Sequence, residues 1–231
     1  MALRYFIAGT DTGVGKTRVG CGLLAAARSA GVIAAGMKPV AAGLIDVNGV
    51  MMNDDVAMIV QASGQQDPLD RINPYALTLP VSPHIAAKRQ QIAIDIGLIT
   101  ASADALARDR QLLLLEGAGG WFAPISESGT MADVAVALGA PVVLVVGLKL
   151  GCLNHARLTR DAILASGLHL AGWIGSEIDV EMPEKPENKL YIESIFGEQA
   201  LAWLPFNPDA RGDAGHMARA LPRLLAASAS I

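Results

Sequence analysis

The chain has 231 residues, 52% hydrophobic and 17% charged, which suits a single α/β domain over 1–231 whose strands are covered on both faces by helices. A net charge of -4 supplies no basic field for nucleic acid, and no run of Lys or Arg is present to meet anionic lipid. Tyr5-Phe6-Ile7-Ala8 is cut off by Gly9 and Asp11, too short for a signal-peptide core. No later run approaches a membrane span, so the expected setting is the cytosol with no membrane partner.

Leu3 to Ala8 is a predicted strand, and Lys16 to Ala30 a helix stopped by Gly31. Ile33 to Val40 follows as one strand, then Asp54 to Ala62 and Ala93 to Arg108 as helices. Leu112 to Leu115 and Pro141 to Gly147 have the aliphatic pattern of buried parallel strands. Asn154 to Ser166 is helical, Leu170 to Gly175 a strand, and Ala214 to Ala227 a closing helix. Asp179 to Lys189, with Pro183 and Pro186 among alternating charges, is expected to be an exposed loop. The alternation predicts a doubly wound, mostly parallel sheet with helices on both faces. Cys21 and Cys152 lack metal-ligand spacing and are expected to be reduced thiols, Cys21 packed inside.

Between the first strand and first helix lies Gly9-Thr10-Asp11-Thr12-Gly13-Val14-Gly15-Lys16-Thr17. Backbone N–H groups of Gly13 to Lys16 can converge on phosphate oxygens at the positive helix end, Lys16 can reach the β and γ phosphates, and Thr17 can ligate magnesium. Five residues separate Gly9 from Gly15, so Thr10 fills the slot of the usual first glycine. The apolar run Leu112 to Leu115 delivers Glu116 to a strand end, where ligands of open α/β sheets bind. Glu116 is either an ordinary strand-end acid or a carboxylate that holds magnesium directly or through water. Small residues follow, Gly117-Ala118-Gly119-Gly120, which let backbone approach a ligand. Lys38, before Pro39, stands at another strand end, either simply solvated or placed to stabilise charge in phosphoryl transfer. Asn53-Asp54-Asp55 either caps the next helix or gives a second metal carboxylate.

Together these blocks resemble the dethiobiotin synthetase family. The likeness comprises Gly9 to Thr12, Val14 to Thr17, Lys38-Pro39-Val40, Asp55, Ser82-Pro83-His84, Glu116 to Phe122 and Gly151-Cys152-Leu153-Asn154-His155. It runs from Tyr5 to Gly175, with an echo in Trp203-Leu204-Pro205 and Asn207-Pro208. The resemblance implies a P-loop enzyme that uses ATP and Mg2+ to turn 7,8-diaminononanoate and CO2 into dethiobiotin. A carbamate forms, is phosphorylated, and is closed by the second amine. It implies Lys16 and Lys38 on the migrating phosphoryl group, and Thr17, Asp55 and Glu116 on the metal. ATP would be bordered by Gly13, Val14, Gly15, Lys16, Thr17 and Arg18, by Asp55, and by Glu116, Gly117, Ala118 and Gly119. Ser176, Glu177, Pro205, Phe206 and Asn207 would lie near the base. Thr12, Lys38, Ala42 and Gly119 would meet the diamine. The family is a homodimer, and the segment Gly151, Cys152, Leu153, Asn154 of the partner subunit would reach the substrate carboxylate.

Three positions depart from the family pattern: Gly13 for an acid, Ala42 for Ser or Thr, and Ser176 for an Asn that reads adenine. An amidating synthetase of the same P-loop group would need a further domain with a catalytic Cys, for which too few residues follow Ser176. A partitioning ATPase would carry an extra Lys where this loop has Asp11-Thr12-Gly13.

Overall fold

The computed structural model describes residues 2–207 and 212–226. β1 (Leu3–Gly9) passes through the glycine-rich loop into α1 (Lys16–Ser29), and Gly31, at φ +74°, follows the last turn as a stop. β2 (Ala34–Met37) and β3 (Val40–Ala42) flank Lys38-Pro39. A hairpin of β4 (Ile45–Val47) and β5 (Val50–Met52) turns at Asn48-Gly49, both at positive φ. Then come α2 (Asp54–Ser63), α3 (Leu69–Ile72), β6 (Tyr75–Leu77), α4 (Pro83–Arg89) and α5 (Ile96–Ala107). The remainder is β7 (Leu112–Glu116), α6 (Met131–Leu138), β8 (Val142–Leu148), α7 (Cys152–Ala165), β9 (Leu170–Glu177), α8 (Lys185–Phe196), β10 (Ala202–Leu204) and α9 (Ala214–Ala226).

Six strands form one sheet in the order β10-β9-β8-β1-β7-β2, and every pairing is parallel. Side chains alternate across it. Leu113 and Leu115 of β7 join Phe6, Leu144 and Val146 in one core, whereas Leu112 and Leu114 join Tyr5, Ile7, Val143 and Val145 in the other. A fully buried Leu of this kind contributes about 1.5–3 kcal/mol relative to exposure. α1 and α9 share the second face, and they approach closely because Gly22 has no Cβ. One placed there would lie 2.7 Å from Met217 Cγ and 2.8 Å from the Asp213 nitrogen.

The edge strand β2 is closed by a side chain. The Gln65 carboxamide accepts from Gly36 N at 2.7 Å and donates to Gly36 O at 2.9 Å, as a neighbouring strand would, and Gln65 is only 6% exposed.

Several expected boundaries are corrected. The strand Ile33 to Val40 is two strands, because Pro39 has no N–H for a ladder and the chain leaves the sheet at Lys38, whose N–H goes to Ile72 O. β3 then pairs with β6 instead. The helix expected from Ala93 begins at Ile96, where Asp95 accepts the Gly97 N–H at 2.7 Å as its cap. The stretch expected to be a loop to Lys189 is already α8 from Lys185, with Pro186 in the first turn, where a missing N–H costs nothing. Ala227 lies outside the described residues. No helix among the described residues is long and apolar enough to cross a membrane.

Candidate active site

All six strands of the sheet end on one edge, and β1 lies between β7 and β8, so the chain leaves β1 at a crevice. The loop there is pinned by Val14, fully buried against Gly147, where an added Cβ would meet Val14 Cγ1 at 2.7 Å. Gly13 and Gly15 adopt φ +74° and +94°, and Gly15 caps α1 without a side chain, so the first N–H groups of the helix stay available to an anion. Lys16 Nζ folds back to donate to Asp11 O at 3.0 Å. Burial pushes its pKa down to about 8, against the pull of the Glu116 carboxylate and with the push of the Lys38 ammonium. Asp11 is held below the usual carboxylate range, first by the hydrogen bond from Lys149 at 2.8 Å and then by the Thr12 N–H.

Lys38 is not the solvated strand-end amine that the sequence allows. It is 5% exposed, and its ammonium donates to Glu116 Oε1 at 2.8 Å and to Asp55. Thr17 Oγ1 donates to the same Glu116 oxygen at 2.7 Å. Burial works against the Lys38 cation, but Glu116 and Asp55 outweigh it and raise its pKa. Burial likewise opposes the Asp55 carboxylate, and Lys38, Thr17 and Lys16 overcome it, lowering its pKa. Glu116 Oε2 is buried without a hydrogen-bond partner. Among the described residues no group of three His, Cys, Asp or Glu could hold a metal alone. A cation bound here would combine two carboxylates and a hydroxyl with waters and substrate phosphates, the habit of a small hard divalent ion.

Of the two readings of Asn53-Asp54-Asp55, the helix cap is realised by Asn53, while the Asp55 carboxylate is turned to Lys38. Asn53 Oδ1 accepts the Asp55 N–H at 3.1 Å as the cap of α2, which frees the Asp55 carboxylate for Lys38. Asn53 Nδ2 also donates to Ala42 O and Gly43 O, each at 3.0 Å, tying the helix start to the end of β3. A cleft of about 480 Å³ opens beside this joint, lined by Thr12, Lys38, Ala42, Asn53, Asp55, Ser82, Ala118 and Gly119 among others. Gly119 has φ +67° and an added Cβ would sit 2.9 Å from Ala123 Cβ, while one on Gly117 would sit 3.0 Å from Phe6 Cζ.

The base-side candidates lie at the ends of β9 and β10. Ser176 is 1% exposed and tucked behind the phosphate loop, its Oγ 2.9 Å from where a Gly15 Cβ would stand. Glu177 accepts from Lys189 at 2.6 Å and from the Phe206 N–H, with Lys185 nearby. Burial works against its charge, but these partners prevail and keep its pKa below the ordinary range. Arg18 donates to Pro205 O at 2.8 Å and to Asp213 at 2.6 Å, strapping α1 to the segment after β10. Pro205, Phe206 and Asn207 are described, and Pro208 of the expected echo lies outside the described residues.

Gly151, Cys152, Leu153 and Asn154 do not line the cleft of their own chain. Gly151, at φ +93°, starts α7 without a side-chain cap, and Cys152 is buried, which raises its thiol pKa. Cys21 is buried as expected, its thiol pushed up to about 12 by burial. Sequence reasoning missed Lys149 and Asp213. Lys149 carried one signal, its place at the end of β8; Asp213 lies 195 residues from Arg18 and carried none.

The family described as AAA domain matches residues 3–213. The ATP-dependent dethiobiotin synthetase BioD of Aromatoleum aromaticum is 44% identical over 224 residues, covering 97% of this chain and 95% of that protein. The chain belongs to the dethiobiotin synthetase family. The same name is carried by a relative from Alteromonas mediterranea, 45% identical over 88% of this chain and 92% of its own, and BioD 1 of Escherichia coli O157:H7 is 39% identical over 90% and 94%. The solved MinC:MinD cell division complex of Aquifex aeolicus overlays this family member with a TM-score of 0.61 at 17% identity, covering 97% of this chain and 96% of that one. MinD of Pyrococcus horikoshii complexed with Mg-ADP gives 0.58 at 14%, over 96% and 95%. At such identities the likeness concerns the P-loop fold alone.

Proposed function

We propose that this protein is an ATP-dependent ligase of biotin biosynthesis that closes the ureido ring of dethiobiotin on 7,8-diaminononanoate and CO2, releasing ADP and phosphate. The observation that carries the reading is the meeting of Lys16, Thr17, Lys38, Asp55 and Glu116 beside one cleft, in a member of this family. A carbamate on one amine is phosphorylated by ATP and then attacked by the other amine, with phosphate leaving. Phosphoryl transfer asks mainly for positioning and charge. Lys38, kept cationic by two carboxylates, supplies charge on the cleft side, and Lys16 with the free N–H groups of α1 supplies it on the phosphate side.

Thr17, Asp55 and Glu116 would hold Mg2+, and the unpaired Glu116 Oε2 is a donor left over for it. When bound, the ion supplies neutralising charge to the triphosphate. Thr12, Lys38, Ala42 and Gly119 border the space for the diamine, and the small residues Gly117 and Ala118 would let backbone approach ATP. Ser176, Glu177 and Pro205 to Asn207 form the wall beside the base. The N–H groups at the start of α7, around Gly151 to Asn154, suit the substrate carboxylate held by a second copy of the chain, so the working unit is a homodimer in the cytosol.

The test is mass spectrometry of a reaction containing diaminononanoate, bicarbonate, Mg2+ and ATP. The cyclic urea is expected with one ADP per ring, and its absence would overturn the reading.

A further inference from the structure

The ring-closing reaction proposed above needs uncharged amines, and the groups so far assigned do not make them. An aliphatic amine of ordinary basicity is protonated at pH 7 and has no lone pair to offer carbon. Lys38 is itself held as a cation, and Asp55 and Glu116 pair with it and are the carboxylates assigned above to the metal ion.

The cleft has one further polar feature, Ser82, whose Oγ lies 3.0 Å from His84 Nδ1. Ser82 occupies the N-cap position of α4, where a serine ordinarily accepts a backbone N–H of the first turn. It makes no such bond, and the His84 N–H goes instead to Pro124 O at 3.3 Å. The hydroxyl is therefore bound to an imidazole rather than to its helix. His84 also lines a second cavity of about 270 Å³ with Ile92, Ile94 and Glu127, so the ring stands between the cleft residue and a separate space. The charged groups around it are Lys88 and Arg89 on α4 and Glu127 opposite, with Lys88 and Glu127 paired at 2.8 Å. On the cleft side stand Lys38 and Asp55.

We propose that Ser82 and His84 form a proton relay serving the substrate amines. Ser82 Oγ takes a proton from the substrate ammonium as its own proton passes to Nδ1 of neutral His84. The electron pair of the broken N–H bond stays on nitrogen and forms the new C–N bond. The imidazolium then returns to its starting state by giving a proton to solvent. Ser82 is the group that touches substrate, and His84 acts through it.

The role rests on the ring-closing reading, and the experiment separates the two. Cyclic urea and ADP are measured for the unaltered enzyme, Ser82→Ala and His84→Asn between pH 7 and pH 9. Both variants are expected to lose at least about tenfold in kcat at pH 7, within what a positioned base contributes. That deficit is expected to shrink at least about threefold by pH 9, where more of the diamine arrives unprotonated. A structural role would leave the deficit independent of pH. A deficit below tenfold, or one unchanged between the two pH values, overturns the relay. Ser82→Ala removes no cap bond, so it keeps the test available even if His84→Asn folds poorly. No cyclic urea from the unaltered enzyme overturns the function itself, and the relay with it.

Discussion

The two ends of the ligand edge are built on opposite plans. At the Lys38 end, charged groups from β7, α1, α2 and the turn after β2 are packed against one another, and one carboxylate oxygen is left unpaired. At the β9–β10 end the charged groups are already paired: Glu177 by Lys189 and the Phe206 N–H, and the two terminal nitrogens of Arg18 by Pro205 O and Asp213, while Arg18 Nε is buried without a partner. The first plan holds charge ready for a ligand; the second spends its polar groups on shaping a wall. Phosphate chemistry should therefore be sensitive to single substitutions, and base recognition should be permissive.

The sharpest way to break this contrast is Lys38→Ala. Turnover is expected to fall by at least about a hundredfold, since a charge aimed at the transferring group is lost. Stability without metal should also drop, by roughly 3 kcal/mol, because the buried Glu116 loses its counter-charge. A variant with unchanged denaturant midpoint and less than tenfold loss in kcat would contradict the plan.

At the other end, GTP and CTP should support turnover within about a hundredfold of ATP, since the phosphate loop carries most of the grip. A buried Ser176 hydroxyl cannot reproduce the paired donor and acceptor of an Asn carboxamide, worth about 1–3 kcal/mol in base discrimination. Comparison of kcat/KM across the nucleotides checks this, and a preference for ATP beyond a thousandfold would overturn it.

Ala42→Ser offers a smaller effect on the cleft side. A hydroxyl facing the diamine should tighten its Kd by the net value of one hydrogen bond, roughly 0.5–1.5 kcal/mol, measurable by calorimetry. Unchanged or weaker binding would contradict the assignment of Ala42 to the substrate wall.

The smallest signal is a proton count. Lys16, depressed to about 8 in the free enzyme, regains its proton when phosphate anions favour the charged form, so nucleotide binding near pH 8 should take up a fraction of a proton. Binding enthalpies in buffers of different ionisation heat would differ accordingly; identical enthalpies would rule it out. The same depression means the buried Lys16 charge works against folding below pH 8, a penalty relieved as pH rises from about 8 toward the unfolded value of 10.5.

Much of the phosphate end was legible because its signals are local. A glycine loop between strand and helix, and an acid ending an apolar strand, are read within a few residues. What was not legible is mutual burial: nothing near Lys38 announces that Asp55 and Glu116 enclose it, since the partners lie 17 and 78 residues away. The helix at Lys185 was hidden by its prolines and charges, although Ile192, Ile195 and Phe196 have the spacing of one buried face and Pro186 sits where a helix tolerates it. The split at Lys38-Pro39 follows from a missing N–H that the sequence did display.

Gln65 has a consequence for the behaviour of the protein in a crowded solution. A parallel sheet ends in rows of unsatisfied amides, and such a border recruits strands from other molecules. By presenting a carboxamide to both backbone groups of Gly36, Gln65 acts as a one-residue terminator for the β2 border. Strand addition at Gly36 is thereby blocked. Loss of this one amide would expose a nucleation point for aggregates without touching a residue of the cleft.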